Sequence, residues 1–195
     1  MQEFLESKHR RLKGMTLEAI EEVVATSDKQ RFALSYRPTS DFLGKKSLAE
    51  EILCIRANQG HSIKTLDPSL ILRRLTPEEI RSLSCVVHGT SVDAWKSIEQ
   101  QGLKTMNRTH IHFATGLPDN EQVISGMRRS ATVYIYIDVE TCMDDGIEFF
   151  KSANGVVLSE GINGIVGTKY FLKVTDSTGN MIMSHDGAKN ASFTN

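Results

Sequence analysis

Residues 85–102, CVVHGTSVDAWKSIEQQG, decide the fold of the second half of this chain. The first four residues, Cys85 to His88, are typical of a short strand, which we expect to end at Gly89-Thr90. A helix is predicted from Val92 to Gln101, with Gly102 as its C-cap. Because glycine lacks a Cβ, Gly89 would let a ligand approach the backbone, where free N–H groups and a threonine hydroxyl bind phosphate or ribose oxygens. Taken alone, such a motif is more often ordinary turn chemistry than a binding site.

The residues before this stretch predict a helix, a pair of strands and a short connector. Thr16 is placed as the N-cap of a helix that runs to about Ala25. Strands are expected at residues 31–36 and 52–56, so a helix followed by paired strands suggests the back half of a winged-helix unit. Thr76-Pro77-Glu78-Glu79 then predicts a helix start, with an N-cap, a proline and two acids.

The residues after Gly102 predict mainly strands, at 109–114, 132–138 and 155–158. From Thr175 onward the composition is rich in Ser, Asn and Gly, which predicts disorder. The fold class expected is therefore α+β. We expect a small N-terminal lobe over residues 1–76, a strand-rich lobe over residues 77–175 and a disordered tail over residues 176–195.

Bulk properties exclude several classes of protein. With 195 residues, of which 39% are hydrophobic and 24% charged, the chain has the composition of a soluble globular protein. It lacks the run of roughly 20 apolar residues that spans a bilayer, and its first residues do not form a secretory signal, so we expect the cytoplasm or the nucleus. Three widely spaced cysteines and the lack of a CxxC pair predict reduced thiols rather than a zinc site.

Arginines at the ends of predicted strands are the main candidates for chemistry. GxSxG, HExxH, a phosphate loop and GxGxxG are all missing, so a dinucleotide would not be bound as in a Rossmann fold. Arg31, Arg56 and Arg108 each lie beside turn residues and can present a planar fork to phosphate. In Arg108-Thr109-His110-Ile111-His112, the two histidines share a strand face. One interpretation is that they are metal ligands, although no third ligand is evident. The other is that they are partly buried hydrogen-bonding residues.

The order of several short motifs is more specific than any one of them. They are Asp-Lys-Gln-Arg-Phe at 28–32, Ile-Arg-Ala-Asn-Gln-Gly-His-Ser at 55–62, His-Gly-Thr at 88–90, Gly-Leu at 102–103, Arg-Thr-His-Ile-His at 108–112, Ser-Gly-Met-Arg at 125–128 and Ser-Ala-Asn-Gly-Val at 152–156. This series resembles the RNA 2′-phosphotransferase family, from about Met15 to Phe171.

The resemblance implies a winged-helix RNA lobe, followed by a lobe similar to ADP-ribosyltransferases, with NAD as co-substrate in the cleft. It implies that the splice-junction 2′-phosphate of ligated tRNA attacks the nicotinamide ribose. Nicotinamide, RNA with a 2′-hydroxyl and ADP-ribose 1″,2″-cyclic phosphate are then released. No metal is needed if arginines hold the phosphate. By resemblance, Arg31 and Arg108 are the catalytic residues that bind the 2′-phosphate. The implied cofactor-binding residues are His88, Gly89, Thr90, Asn58, Gly60, His61, Ser62 and Arg128.

One family motif has no clear counterpart. The family carries an Arg-His pair ahead of the helix that here starts at Thr16, where this chain has Ser7-Lys8-His9-Arg10-Arg11. We assign no family role to those residues and expect a chain, acting as a monomer, that begins partway through the first lobe. Two alternatives therefore remain open. One is a protein that binds NAD, ADP-ribose or phosphorylated RNA with incomplete catalysis, and the other is an ADP-ribosyltransferase acting on another terminal phosphate.

Overall fold

The computed structural model describes residues 14–38, 51–60, 71–117 and 126–184. These residues form a mixed α and β structure with few helices and several antiparallel sheets. Two compact units divide the chain between Asn58 and Gln59. Within the described ranges, no helix is long and apolar enough to cross a membrane.

The first unit contains one helix and one hairpin of strands. Helix α1 spans Leu17–Thr26, and the Thr16 hydroxyl accepts a hydrogen bond from the Ala19 N–H at 3.3 Å, as the predicted N-cap requires. Strands β1 (Phe32–Pro38) and β2 (Glu51–Ala57) pair antiparallel. The predicted helix and both predicted strands are confirmed, and each strand is longer than predicted.

The second unit contains most of the strands. Its elements in chain order are β3 (Leu72–Arg74), α2 (Pro77–Arg81), β4 (Val87–Thr90), α3 (Val92–Gln101), β5 (Leu103–Lys104), β6 (Ile111–Phe113), β7 (Val133–Ile137), α4 (Val139–Asp144), β8 (Phe150–Ser152), β9 (Val157–Ser159), β10 (Ile165–Val166), a 3-10 turn (Thr168–Tyr170), β11 (Phe171–Asp176) and β12 (Met181–Ser184). The predicted helix from Val92 to Gln101 is confirmed, and Gly102 follows it with φ +73°.

Two four-stranded antiparallel sheets build this unit, in the orders β12-β11-β7-β4 and β3-β8-β9-β6. They meet where Val87 of β4 faces Ala114, the residue after β6, and the two residues exchange backbone hydrogen bonds of 3.0 and 2.8 Å. The main apolar core includes Phe113, Val133 and Ile135, all fully buried. The junction of the two sheets therefore lies directly beside this core.

Two predictions about boundaries differ from the structure. The predicted lobe boundary lies near residue 76, whereas β3, at 72–74, already pairs with β8 in the sheet of the second unit. A three-residue strand is too short to reveal its partner from sequence. The predicted disorder is wrong for residues 176–184, because β12 pairs with β11 and the Asp176 carboxylate accepts hydrogen bonds from the Thr178 and Asn180 N–H groups. Ser, Asn and Gly are common in hairpin turns as well as in disordered segments. Residues 185–195 lie outside the described residues.

The three cysteines are free thiols, as predicted. Cys142 is buried in the main core, and burial raises the pKa of its thiol to about 12. Burial also raises the pKa of the Cys85 thiol. Both thiols are therefore protonated at neutral pH and behave as small apolar groups.

A capping box at the start of α2 gives a stability prediction. The Thr76 hydroxyl accepts from the Glu79 N–H, and the Glu79 carboxylate accepts from the Thr76 N–H at 2.9 Å. Thr76→Ala should lower the free energy of unfolding by about 1 kcal/mol in urea titration, because the helix loses its cap. Thr76→Ser, which keeps the hydroxyl, should stay close to the unchanged protein. Equal losses in both variants would contradict a capping role.

Candidate active site

His88 and His112 meet where the two sheets of the second unit join. The His88 Nδ1–H donates a hydrogen bond to the His112 carbonyl oxygen at 2.9 Å, and the His88 ring stands edge-on to Phe113. His88-Gly89-Thr90 forms the end of strand β4, so the predicted end of the strand at Gly89-Thr90 is confirmed. Pairing of β4 with β7 carries the strand through Thr90. Two motifs more than 20 residues apart thus share one site.

Both histidines are neutral at physiological pH. Burial lowers the pKa of His88, although the hydrogen bond to the His112 carbonyl partly offsets this effect. Burial, together with a smaller effect of the positive charge of Arg108, lowers the pKa of His112 to about 4. Neutral imidazoles beside an arginine leave the positive charge of the site on the guanidinium.

The second ring nitrogen of His112 is positioned to accept a hydrogen bond. A hydrogen bond to the backbone of His110 favours a proton on the His112 ring, and Nε2 is the nitrogen without a partner among the described residues. Nδ1 is therefore the donor, and Nε2 carries a lone pair. This nitrogen is buried, and a Cβ built on Gly60 would lie 3.7 Å from it. A ligand hydroxyl or amide N–H would satisfy the buried acceptor.

Gly89 is required by the packing of Met127. A Cβ on Gly89 would overlap the Met127 side chain and would approach the Ala131 Cβ to 2.9 Å. Gly126, with φ +109°, lies against the backbone of Phe113 and Ala114. The segment that starts at Gly126 therefore crosses β4 next to the end of β6. From the sequence, we expected a glycine at position 89 because a ligand approaches the backbone there. In the structure, the neighbour of Gly89 is instead the Met127 side chain.

The predicted arginines Arg108 and Arg128 are exposed, whereas Arg56 is half-buried. Arg108 ends a turn that starts at Thr105, to whose carbonyl its N–H donates at 3.0 Å, and Arg128 follows Met127. Neither guanidinium forms an ion pair or a hydrogen bond with a side chain in the described part of the chain. Both are therefore available to an anionic ligand.

The buried His110 ring has a polar neighbour at each of its two nitrogens. Its Nδ1 lies 2.8 Å from the Thr109 hydroxyl, its Nε2 lies 3.4 Å from a Glu160 carboxylate oxygen, and its ring stands edge-on to Phe150. Among the described residues, no group of three or more His, Cys, Asp or Glu side chains is arranged to hold a metal ion. The histidine pair was interpreted either as metal ligands or as partly buried hydrogen-bonding residues. The contacts of His110 fit the second interpretation.

The first unit positions Arg31 through Asn58. The Asn58 N–H donates to the Arg31 carbonyl at 2.8 Å, and its side-chain amide donates to the Gln30 carbonyl at 2.7 Å. Gln30 has φ +42°, so this contact supports a sharp turn before β1. The Arg31 side chain is exposed. His61 and Ser62, both predicted to bind the cofactor, lie outside the described residues, as do residues 7–11.

The Ser-Ala-Asn-Gly-Val motif forms the tight turn between β8 and β9. The buried Ser152 hydroxyl donates to the Asn154 side-chain oxygen at 2.7 Å and accepts from the Val156 N–H at 3.1 Å. Gly155 adopts φ +81° in this turn. The polar residues of this motif therefore stabilise the sheet that carries β6.

The comparisons with known proteins identify the family. The model of the RNA 2′-phosphotransferase, Tpt1 / KptA family matches residues 1–161. The chain belongs to this family. Similar proteins include the tRNA 2′-phosphotransferase 1 of Danio rerio, 44% identical over 164 residues, which are 84% of this chain and 68% of that protein. The tRNA 2′-phosphotransferase 1 of Homo sapiens is 44% identical over 161 residues, 82% of this chain and 58% of that protein.

A third relative, from Schizosaccharomyces pombe, is 43% identical over 171 residues. The aligned region covers 88% of this chain and 42% of that protein. The chain therefore spans between about two fifths and two thirds of the length of these relatives.

His112 was considered from the sequence as a metal ligand or a partly buried hydrogen-bonding residue, but its place beside His88 was missed. The alternation of residues 109–114 predicts that the two histidines share a face, but it cannot tell which ring lacks a partner. Met127 was also missed, because its contact with Gly89 joins residues 38 positions apart.

The state of His112 can be tested by titration. We expect the His112 ring protons in NMR to titrate near pH 4, well below the ordinary value of 6.5. Between these two pH values the unfolded chain binds a proton that the folded chain does not, so stability should fall as the pH decreases from 6.5 to 4. His112→Asn, a neutral replacement, should reduce this pH dependence. A His112 titration near 6.5 would contradict the buried, neutral ring.

Proposed function

We propose that this chain carries the substrate-binding residues of a tRNA 2′-phosphotransferase, which transfers the splice-junction 2′-phosphate of ligated tRNA to NAD. The products would be RNA with a 2′-hydroxyl, nicotinamide and ADP-ribose 1″,2″-cyclic phosphate, in the last step of tRNA splicing. Membership of the family and the names of its relatives support this function. The geometric observation that supports it most is the pairing of His88 with His112 next to Arg108.

The residues at the sheet junction fit NAD as a co-substrate. The His112 Nε2, which has no partner in the described part of the chain, is a buried acceptor that matches a ribose hydroxyl or the carboxamide N–H of nicotinamide. His88 and Thr90 would bind the same molecule from strand β4, and Arg128 would contact its pyrophosphate from the neighbouring segment. Bound NAD supplies an electrophilic ribose carbon and nicotinamide as a leaving group. Gly60, His61 and Ser62 remain proposed contacts to the same molecule.

Arginines would bring the phosphate to the site. A phosphate dianion approaching a pyrophosphate is repelled, so fixed cations must offset the charge and orient the nucleophile. We assign this role to Arg108, which is exposed in the second unit, and to Arg31, which is exposed in the first. Because the Arg108 charge also lowers the pKa of His112, the same guanidinium would keep the imidazole neutral and able to accept a hydrogen bond. The reaction as proposed uses no metal.

The two units would divide these tasks. We propose that α1 with the β1–β2 hairpin is the later part of a winged-helix RNA lobe, since a helix followed by two paired strands matches that arrangement. The sheets of the second unit would form the lobe similar to ADP-ribosyltransferases. Asn58 would hold the turn before Arg31 through its amide N–H, which is hydrogen-bonded to Gln30. Its buried side-chain oxygen has no partner among the described residues, so Asn58 also remains a proposed cofactor contact.

Product analysis tests the proposal. The chain would be incubated with NAD and an RNA that carries one internal 2′-phosphate, and the products separated by chromatography. ADP-ribose cyclic phosphate together with RNA bearing a 2′-hydroxyl supports the function. ADP-ribosylated RNA without further reaction would instead support incomplete catalysis, and ADP-ribosylation of a terminal phosphate alone would support the third possibility. NAD binding with none of these products would refute the proposed transfer.

Single substitutions test the two arginines. Arg31→Ala and Arg108→Ala should each lower kcat/KM for phosphate transfer by more than tenfold, or more than about 1.4 kcal/mol of transition-state stabilisation. Arg37→Ala, at an exposed position of β1, is a matched control for Arg31. Arg74→Ala, which removes an exposed ion pair with Glu148, is the control for Arg108 and should have little effect. Rates that match those of the controls would exclude the assigned roles.

A further inference from the structure

The turn that precedes Arg108 is anchored at both ends. The Arg108 N–H donates to the Thr105 carbonyl, and the Thr105 N–H donates to the Gly164 carbonyl, each at 3.0 Å. Strand β5, just before the turn, pairs with β10 through Lys104 and Ile165. The backbone of residues 105–108 is therefore held by two neighbouring segments, and its shape does not depend on a ligand.

Met106 occupies an unfavourable position in this turn. Its φ is +56°, in the left-handed region that bulky side chains rarely adopt because the Cβ crowds the backbone. Its side chain is 81% exposed, so burial within the protein does not compensate for the strain. A glycine would form the same turn without strain. A strained conformation that gives no packing benefit is a reason to look for a ligand.

The surroundings of Met106 match a nucleotide. Arg108, two residues later, is exposed and is the proposed ligand of the 2′-phosphate. The segment that accepts the Thr105 hydrogen bond exposes a second apolar side chain, Ile162, which is 45% exposed. A nucleotide offers an anionic group to the guanidinium and a flat, largely apolar base a few ångströms away. The flexible, polarisable thioether of methionine packs well against aromatic faces.

We propose that Met106 packs against the base of the RNA nucleotide whose 2′-phosphate Arg108 binds, and so determines the affinity for RNA. The inference rests on the proposed function, since it takes the phosphate to be that of an RNA substrate. Met106 would hold the nucleotide through its base, while Arg108 orients the phosphate. Met106 would thus discriminate RNA with a stacked base at this position from a bare phosphate or an abasic residue.

The variant Met106→Gly separates this contact from the structure of the turn. Because glycine accepts the positive φ, the melting temperature should stay the same or rise, while KM for the RNA should increase roughly tenfold, the scale of one lost base contact. KM for NAD should change by less than about twofold, because the base contact belongs to RNA. Met106→Leu, which keeps an apolar side chain of similar length, should restore most of the RNA affinity. Asn163→Gly, at an exposed position with φ +53° on the neighbouring segment, is the matched control and should leave both KM values unchanged.

Binding of a fluorescently labelled RNA with one internal 2′-phosphate, measured by anisotropy without NAD, tests the same contact independently of turnover. Met106→Gly should weaken this binding, and an RNA with an abasic residue at the phosphorylated position should bind the unchanged protein and the variant equally. An increase in KM for NAD alone would place Met106 at the NAD site and overturn the proposal. Unchanged RNA binding, a lower melting temperature in Met106→Gly, or no RNA binding by the unchanged protein would overturn it as well. RNA binding that depends on Met106, with no product formed, would leave this contact intact and refute the transfer reaction instead.

Discussion

The pair of backbone hydrogen bonds between Val87 and Ala114 is the constraint on which the site depends. These bonds join the two sheets of the second unit in an antiparallel manner, so the residue after Val87 lies beside residues that precede Ala114. His88 comes directly after Val87, and its ring reaches the carbonyl oxygen of His112 two residues before Ala114. If this junction opened, the two motifs would remain on their own strands but would no longer lie side by side.

Burial at this junction sets the chemistry of the histidines. Each imidazole is kept neutral because a charged ring would lose its hydration inside the protein, and Arg108 adds to this effect at His112. The cation of the site is consequently the exposed guanidinium of Arg108. The proposed reaction between two anionic substrates would use this division: arginine would attract and orient the phosphate, while neutral nitrogen would accept hydrogen bonds.

Local patterns in the sequence were sufficient for much of the fold. The capping residues at Thr16 and Thr76, the glycine after α3 and the alternation in β7 depend on neighbours within a few residues, and each was predicted correctly. The short strands β5, β8 and β10 were missed, since two or three residues carry too little pattern, and the longer strand β11 was missed as well. Predicted disorder near the end failed for residues 176–184, because pairing with β11 outweighs the local composition.

The ordered series of motifs, whose residue types suit phosphate and NAD, was sufficient to identify the family from the sequence. The contacts and burial of those residues became known only from the tertiary structure. It placed Met127 over Gly89, left the Nε2 of His112 buried without a partner among the described residues, and gave Asn58 a structural role beside Gln30. Contacts between residues distant in sequence depend on how strands pair and pack, and pairing is a property of the whole sheet. A motif can therefore name the chemistry of a site, whereas burial and partners decide the charge and orientation of each side chain.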